Sequence, residues 1–180
     1  KKRAALMNHP TRSLRFTPTA TWLGVFLLTQ LLSALAGSYE LWSAPGWPAN
    51  HENSAFALRA LYTAEEFGAG NFFSLWSIHE NFGLGSPLAL YYPKLFSSVA
   101  ALGIVTGLTV KAALVGTVLF FGVLGGCGLY GALRELQLPR PACWVLSLSF
   151  VHLNYVQTDL INRGAMAEYS FLALLPLLGW

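Results

Sequence analysis

The chain has 180 residues, 54% of them hydrophobic and only 11% charged, with mean hydropathy +0.50. A soluble domain carries about 25% charged residues, so this balance excludes a disordered chain, a coiled coil and most soluble enzymes. The net charge of +3 is uneven: Lys1, Lys2, Arg3, Arg12 and Arg15 open the chain without an acid, and the remainder holds six bases and eight acids.

Repeated apolar runs predict an all-α fold, a polytopic transmembrane helical protein with a long extracytoplasmic first loop carrying surface helices. A basic tail over 1–18 ahead of an apolar segment fits retention on the cytoplasmic side. No second basic patch with interleaved aromatics follows, so no nucleic-acid partner is expected. Residues 19–37 carry no charge and approach the roughly 20 residues needed to cross a bilayer. Ala34-Leu35-Ala36 also resembles a signal-peptidase site, but further apolar segments favour an uncleaved anchor.

A polar stretch follows over 38–94, with five acids and two bases. Within it, 54–67 is expected to form an amphipathic helix with Leu58, Leu61 and Tyr62 on one side, capped by Asn53 or Ser54 and ended by Gly68. Residues 70–93, rich in glycine and proline, read as an ordered loop. Residues 95–110 are apolar but short, and are expected to form a re-entrant or interfacial helix.

The span 112–133 is long enough to cross and carries Gly122-x-x-x-Gly126, a spacing that permits close helix approach. A cytoplasmic hairpin is expected over 134–141, a second crossing over 142–156, an extracytoplasmic loop over 157–168 and the start of a truncated span over 169–180. The chain starts at Lys1 and stops at Trp180 inside an apolar run, which reads as a piece of a longer polytopic protein. Cys127 and Cys143 sit in apolar runs and read as packing residues.

Chemistry is expected on the extracytoplasmic surface, because every charged residue lies outside the expected spans. Glu52 and Arg59 are seven residues apart, two helical turns, so Glu52, Phe56, Arg59, Thr63 and Glu66 form one stripe. Spacing alone also suits an ordinary solvated face. Trp76, His79, Gly83, Gly85 and Pro87 crowd a loop that could bind a ligand or lie on the membrane surface as an interfacial belt. Asp159, Arg163 and Glu168 could be a simple ion cluster, yet on this topology they face the same side as Glu52. Neither His-Glu-Asn at 51–53 nor its echo at 79–81 continues as a zinc helix, and no serine triad, phosphate loop or dinucleotide fingerprint appears.

Three segments together resemble a known family: Glu52-x-x-x-Phe56-x-x-Arg59, then Trp76…Gly83-x-Gly85-x-Pro87…Tyr92-Pro93, then Asn162-Arg163-Gly164-Ala165-x-Ala167-Glu168…Pro176. The chain from about Trp22 onward resembles bacterial multipass membrane proteins labelled "6-pyruvoyl-tetrahydropterin synthase-related", similar in turn to membrane glycosyltransferases of the type C fold. That family's first motif more often has Asp and His where this chain has Glu52 and Phe56.

The resemblance implies a glycosyltransferase at the outer face of the cytoplasmic (inner) membrane, moving a sugar from a polyprenyl-phosphate donor to an acceptor hydroxyl. Glu52 would be base or metal ligand, with Glu168 or Asp159 as partner. Arg59, Lys94 or Arg163 would contact the phosphate, with a divalent metal as the alternative source of positive charge. Trp76, Tyr91 and Tyr92 would stack on sugar or sit at the headgroup level, and His79 would join them in binding. A non-enzymatic transporter, flippase or scaffold for lipid-linked glycans would use the same loops for binding alone.

Overall fold

The computed structural model describes residues 20–48, 52–87 and 92–178. The expected basic tail and Tyr91 lie outside the described residues. The described chain is all-α: no sheet forms among the described residues, and the only β pairing there is a single bridge between Ser77 and Ser86.

Helix α1 (Ala20–Gly37) exposes leucine along much of its length and buries Phe26, Gln30 and Ala34. A short α2 (Tyr39–Ser43) follows, then α3 (Asn53–Gly68). Helix α4 (Leu95–Val105) leads through a turn into the long α5 (Val110–Glu135). The chain returns through α6 (Arg140–Leu148), a 3₁₀ turn Phe150–His152, the short α7 (Asn154–Gln157) and a π-helical turn Thr158–Arg163. Helix α8 (Met166–Leu178) ends the described chain. By length and composition, α1 and α5 could each cross a membrane, whereas α4 and α8 are shorter apolar helices.

Helix α5 is the centre of the packing, with α1, α4, α6 and α8 laid against it. Its glycines make that possible. A Cβ on Gly122 would lie 3.0 Å from Ala34 Cβ and from Tyr169 Oη, and one on Gly126 would lie 2.2 Å from Gln30 Oε1. The small-residue spacing thus places α1 and α8 close against the α5 backbone. Buried Gln30 donates to Ser147 Oγ (2.7 Å), and Ser33 Oγ donates to the Leu148 carbonyl (2.7 Å), tying α1 to α6. Trp22, Phe26, Tyr130 and Trp144 stack around one end of the same three helices.

Four expectations change. The continuous helix over 142–156 is broken after Leu148: Ser147 and Ser149 turn their hydroxyls onto the carbonyls of Trp144 and Leu146, competing with the helical ladder. The expected loop over 157–168 is largely helical, because the π-helical turn fills 158–163, and Gly164 (φ 69°) ends it in the left-handed region. The following helix starts at Met166 rather than 169, which puts Glu168 in its first turn, a favourable end of the helix dipole for a carboxylate. The apolar helix over 95–110 stops at Val105, where Gly107 (φ 100°) turns the chain and the Thr109 hydroxyl accepts the Ala112 N–H (3.3 Å) to cap α5.

Candidate functional site

The expected helix over 54–67 is present within a residue at each end, but Glu52 takes its N-cap position without a side-chain cap bond. Its orientation differs from the expected one. Leu58 is half exposed, while Phe56, Ala60, Thr63 and Ala64 are buried. Phe56 packs on Phe96 and Tyr92, so the stripe carrying Glu52, Arg59 and Glu66 turns inward toward α4 instead of toward solvent. A ring of this size outweighs a leucine in deciding which face is covered.

That orientation gathers the charged groups. Tyr92 Oη donates to Glu52 Oε2 (2.6 Å), and the Arg59 guanidinium lies over the Tyr92 ring at 4.5 Å from its centroid. Burial, and then the Glu52 carboxylate, raise the Tyr92 phenol above its ordinary value, so it remains a donor. Lys94 Nζ donates to Glu66 Oε2 (3.1 Å) and to the Ser74 carbonyl (2.7 Å). Arg59 Nε approaches Glu80 Oε1 at 3.9 Å, while its Nε and Nη1 are buried without a hydrogen-bond acceptor among the described residues. A small cavity of about 30 Å³ is lined by Arg59, Thr63, Glu66, Ser77, Glu80 and Tyr92.

The second loop joins the first through the backbone: the Glu52 N–H donates to the Arg163 carbonyl at 3.1 Å. Arg163 in turn bridges Asp159 and Glu168, with Nη1 2.9 Å from Asp159 Oδ1 and 2.8 Å from Glu168 Oε2. Tyr155 Oη also donates to Glu168 Oε2 (3.1 Å). The Arg163 guanidinium lowers the Glu168 carboxyl below the ordinary range. Asp159 is fully buried, and burial followed by the nearby Glu168 charge raises its carboxyl. Its Oδ2 has no hydrogen-bond partner among the described residues. A π-helical turn is an uncommon element that often marks functional positions, and here it presents Asp159 and Arg163 together.

A groove of about 390 Å³ runs beside this cluster, lined by Tyr92, Pro93, Leu95, Glu168, Phe171 and Leu174. Tyr92 and Pro93 line both this groove and the small cavity. The aromatic ring is therefore a partition between the two.

Of the expected site residues, Arg59, Tyr92 and Lys94 line the small cavity, Glu52 joins them through the Tyr92 hydroxyl, and Asp159, Arg163 and Glu168 form the cluster next to it. Trp76 and His79 line neither the small cavity nor the groove. Trp76 lies over Gly85, whose Cβ would fall 2.2 Å from the indole nitrogen, and His79 stacks on Tyr62 (4.4 Å) while its Nε2 meets Glu65 at 2.9 Å. Reading the sequence missed Glu80, Tyr155 and Ser97, which also lines the small cavity; Ser97, three residues after the Lys94 N-cap of α4, could have been placed by periodicity, while the other two carried no spacing signal. Among the described residues no three His, Cys, Asp or Glu side chains converge, and Arg163 is the cation paired with Asp159 and Glu168.

No family model, no curated protein and no solved structure matches this chain.

Proposed function

We propose that the chain is part of a polytopic inner-membrane glycosyltransferase that moves a sugar from a polyprenyl-phosphate donor to an acceptor hydroxyl at the outer face. One observation carries the reading: Tyr92 stands between an apolar groove bordered by Glu168 and a small cavity bordered by the charged Arg59, Glu66 and Lys94, while its hydroxyl holds Glu52. An amphiphilic donor needs that pairing of surfaces. Its chain would lie along Leu95, Phe171 and Leu174, and its headgroup would sit among the charges at Tyr92.

In the transfer, the acceptor oxygen forms a bond to the anomeric carbon as the bond from that carbon to the phosphate oxygen breaks. Glu52 takes the acceptor's proton, and the polyprenyl phosphate leaves with the electron pair. Arg163, held between Asp159 and Glu168, faces the developing phosphate charge, a preoriented cation whose attraction strengthens as the bond breaks. Glu168 fixes that guanidinium rather than reacting itself. Asp159 supports it from the buried side.

The test is transfer from a polyprenyl-linked sugar by the full-length protein. Glu52→Gln and Glu168→Gln should each abolish turnover while expression and membrane insertion stay normal. If both variants keep normal transfer, the carboxylates are structural and the catalytic assignment is wrong.

A further inference from the structure

The loop between α3 and α4 has an arrangement that the transfer reaction does not use. Phe72, Phe73, Leu75, Trp76, Ile78 and Leu84 all project outward, with Phe73 91% and Leu84 78% exposed. The backbone beneath them is held in place. Ser77 and Ser86 exchange both backbone hydrogen bonds (2.9 and 3.0 Å), and the Gly83 and Gly85 N–H groups both bond the Glu80 carbonyl. Gly83 (φ 84°) and Gly85 (φ 80°) take left-handed conformations that let the chain reverse.

The ionisable groups of this loop turn the other way, while Asn81 stays exposed at the turn. His79 meets Glu65, Glu80 approaches Arg59, and the Ser74 carbonyl accepts from Lys94. The result is a fixed crest with an uncharged, largely apolar outer surface, larger than single scattered apolar residues on an ordinary soluble surface.

We infer that residues 72–84 insert into the lipid interface beside the bundle and set the depth of the site above the membrane. The inference rests on the membrane reading proposed above. Three features select lipid over a protein partner. The crest belongs to the connection between the C-terminal end of α1 and the N-terminal end of α5, the two helices long enough to cross, and Lys111 Nζ, in the first turn of α5, donates to the Ala44 carbonyl at the end of α2, the short helix that follows α1. Lys94 anchors the crest at Ser74, directly before α4, whose Leu95, Leu102 and Val105 are also exposed and share one helical face. The outer surface offers Trp among aliphatic and Phe side chains, the composition of an interfacial contact, and no outward charge that would specify a protein surface.

The experiment uses the full chain in phosphatidylcholine vesicles, with Cys127→Ala and Cys143→Ala as background. An environment-sensitive NBD label is placed in turn through Phe73→Cys, Leu84→Cys, Glu65→Cys and Leu28→Cys. Phe73 and Leu84 carry little packing, so their replacement leaves the fold intact. Labels at 73 and 84 should show blue-shifted emission, quenching by doxyl lipid, and several-fold weaker quenching by iodide than the label at 65. If 73 and 84 report water while 28 reports lipid, the membrane reading survives and the crest inference falls, whether that surface faces solvent or a protein. If 28 also reports water, the membrane reading itself fails and takes the inference with it.

Discussion

Tyr92→Phe isolates a single bond at the junction of the two cavities. The substitution keeps the ring that faces Phe56 at 6.0 Å and carries Arg59 at 4.5 Å, and removes only the hydroxyl that donates to Glu52 at 2.6 Å. A hydrogen bond to a charged acceptor contributes about 1.5–3 kcal/mol, and the half-buried position of Tyr92 puts the expected cost near the lower figure. If Glu52 acts only when held in place, a loss of that size in the transition state reduces turnover about tenfold. Tyr92→Ala also removes a cation–π contact of about 0.5–1 kcal/mol and opens the partition, so it should lose more. The assay is a double-mutant cycle with Glu52→Gln read as unfolding in mixed micelles, with transfer measured for Tyr92→Phe alone. Stability coupling should reach about 1 kcal/mol or more. Additive stability effects, or a Tyr92→Phe variant with full turnover, would refute the idea that Tyr92 positions the carboxylate.

The buried Asp159 predicts a pH signature. Burial and Glu168 raise its carboxyl above the ordinary 3.8, so the folded state keeps this proton better than the unfolded chain and its contribution to stability is lost as pH rises from about 4 through the raised value. Asp159→Asn removes that loss, so unfolding followed across this interval should show the variant gaining on the parent, with a flat difference above it. Glu168 has the opposite sign: lowered by Arg163, it stabilises above its ordinary 4.5 and loses that contribution as pH falls. In α5, Gly125→Ala should cost about 1–3 kcal/mol, because its Cβ would lie 2.2 Å from the Phe150 ring. Gly116→Ala in the same helix meets no atom within 4 Å and should be neutral or stabilising by up to about 1 kcal/mol; equal effects at the two sites would show that packing against α5 is looser than described.

Several elements were legible from composition and period alone. Helix α3 and the long α5 fall within two residues of their expected ends, since each is an uninterrupted run bounded by turn-forming residues. The paired glycines of α5 announced a close approach, and Gln30, Ala34 and Tyr169 are what they approach. Local rules failed where side chains competed with the backbone. Ser147 and Ser149 broke a helix that hydropathy alone would continue, and a polar stretch that reads as loop wound into a π-helical turn around Asp159 and Arg163.

The charge pattern and the seven-residue spacing of Glu52 and Arg59 determined that these groups share one helical face, because helix geometry depends on spacing alone. Whether that face meets solvent or the interior was a tertiary decision. Phe56 took the buried position against Phe96, and the ionisable stripe followed it inward. Only packing could then bring Tyr92, forty residues away, onto Glu52 and set the Arg163 carbonyl on the Glu52 amide. Contacts between distant segments leave no period in a sequence, since they depend on which surfaces the helices cover first.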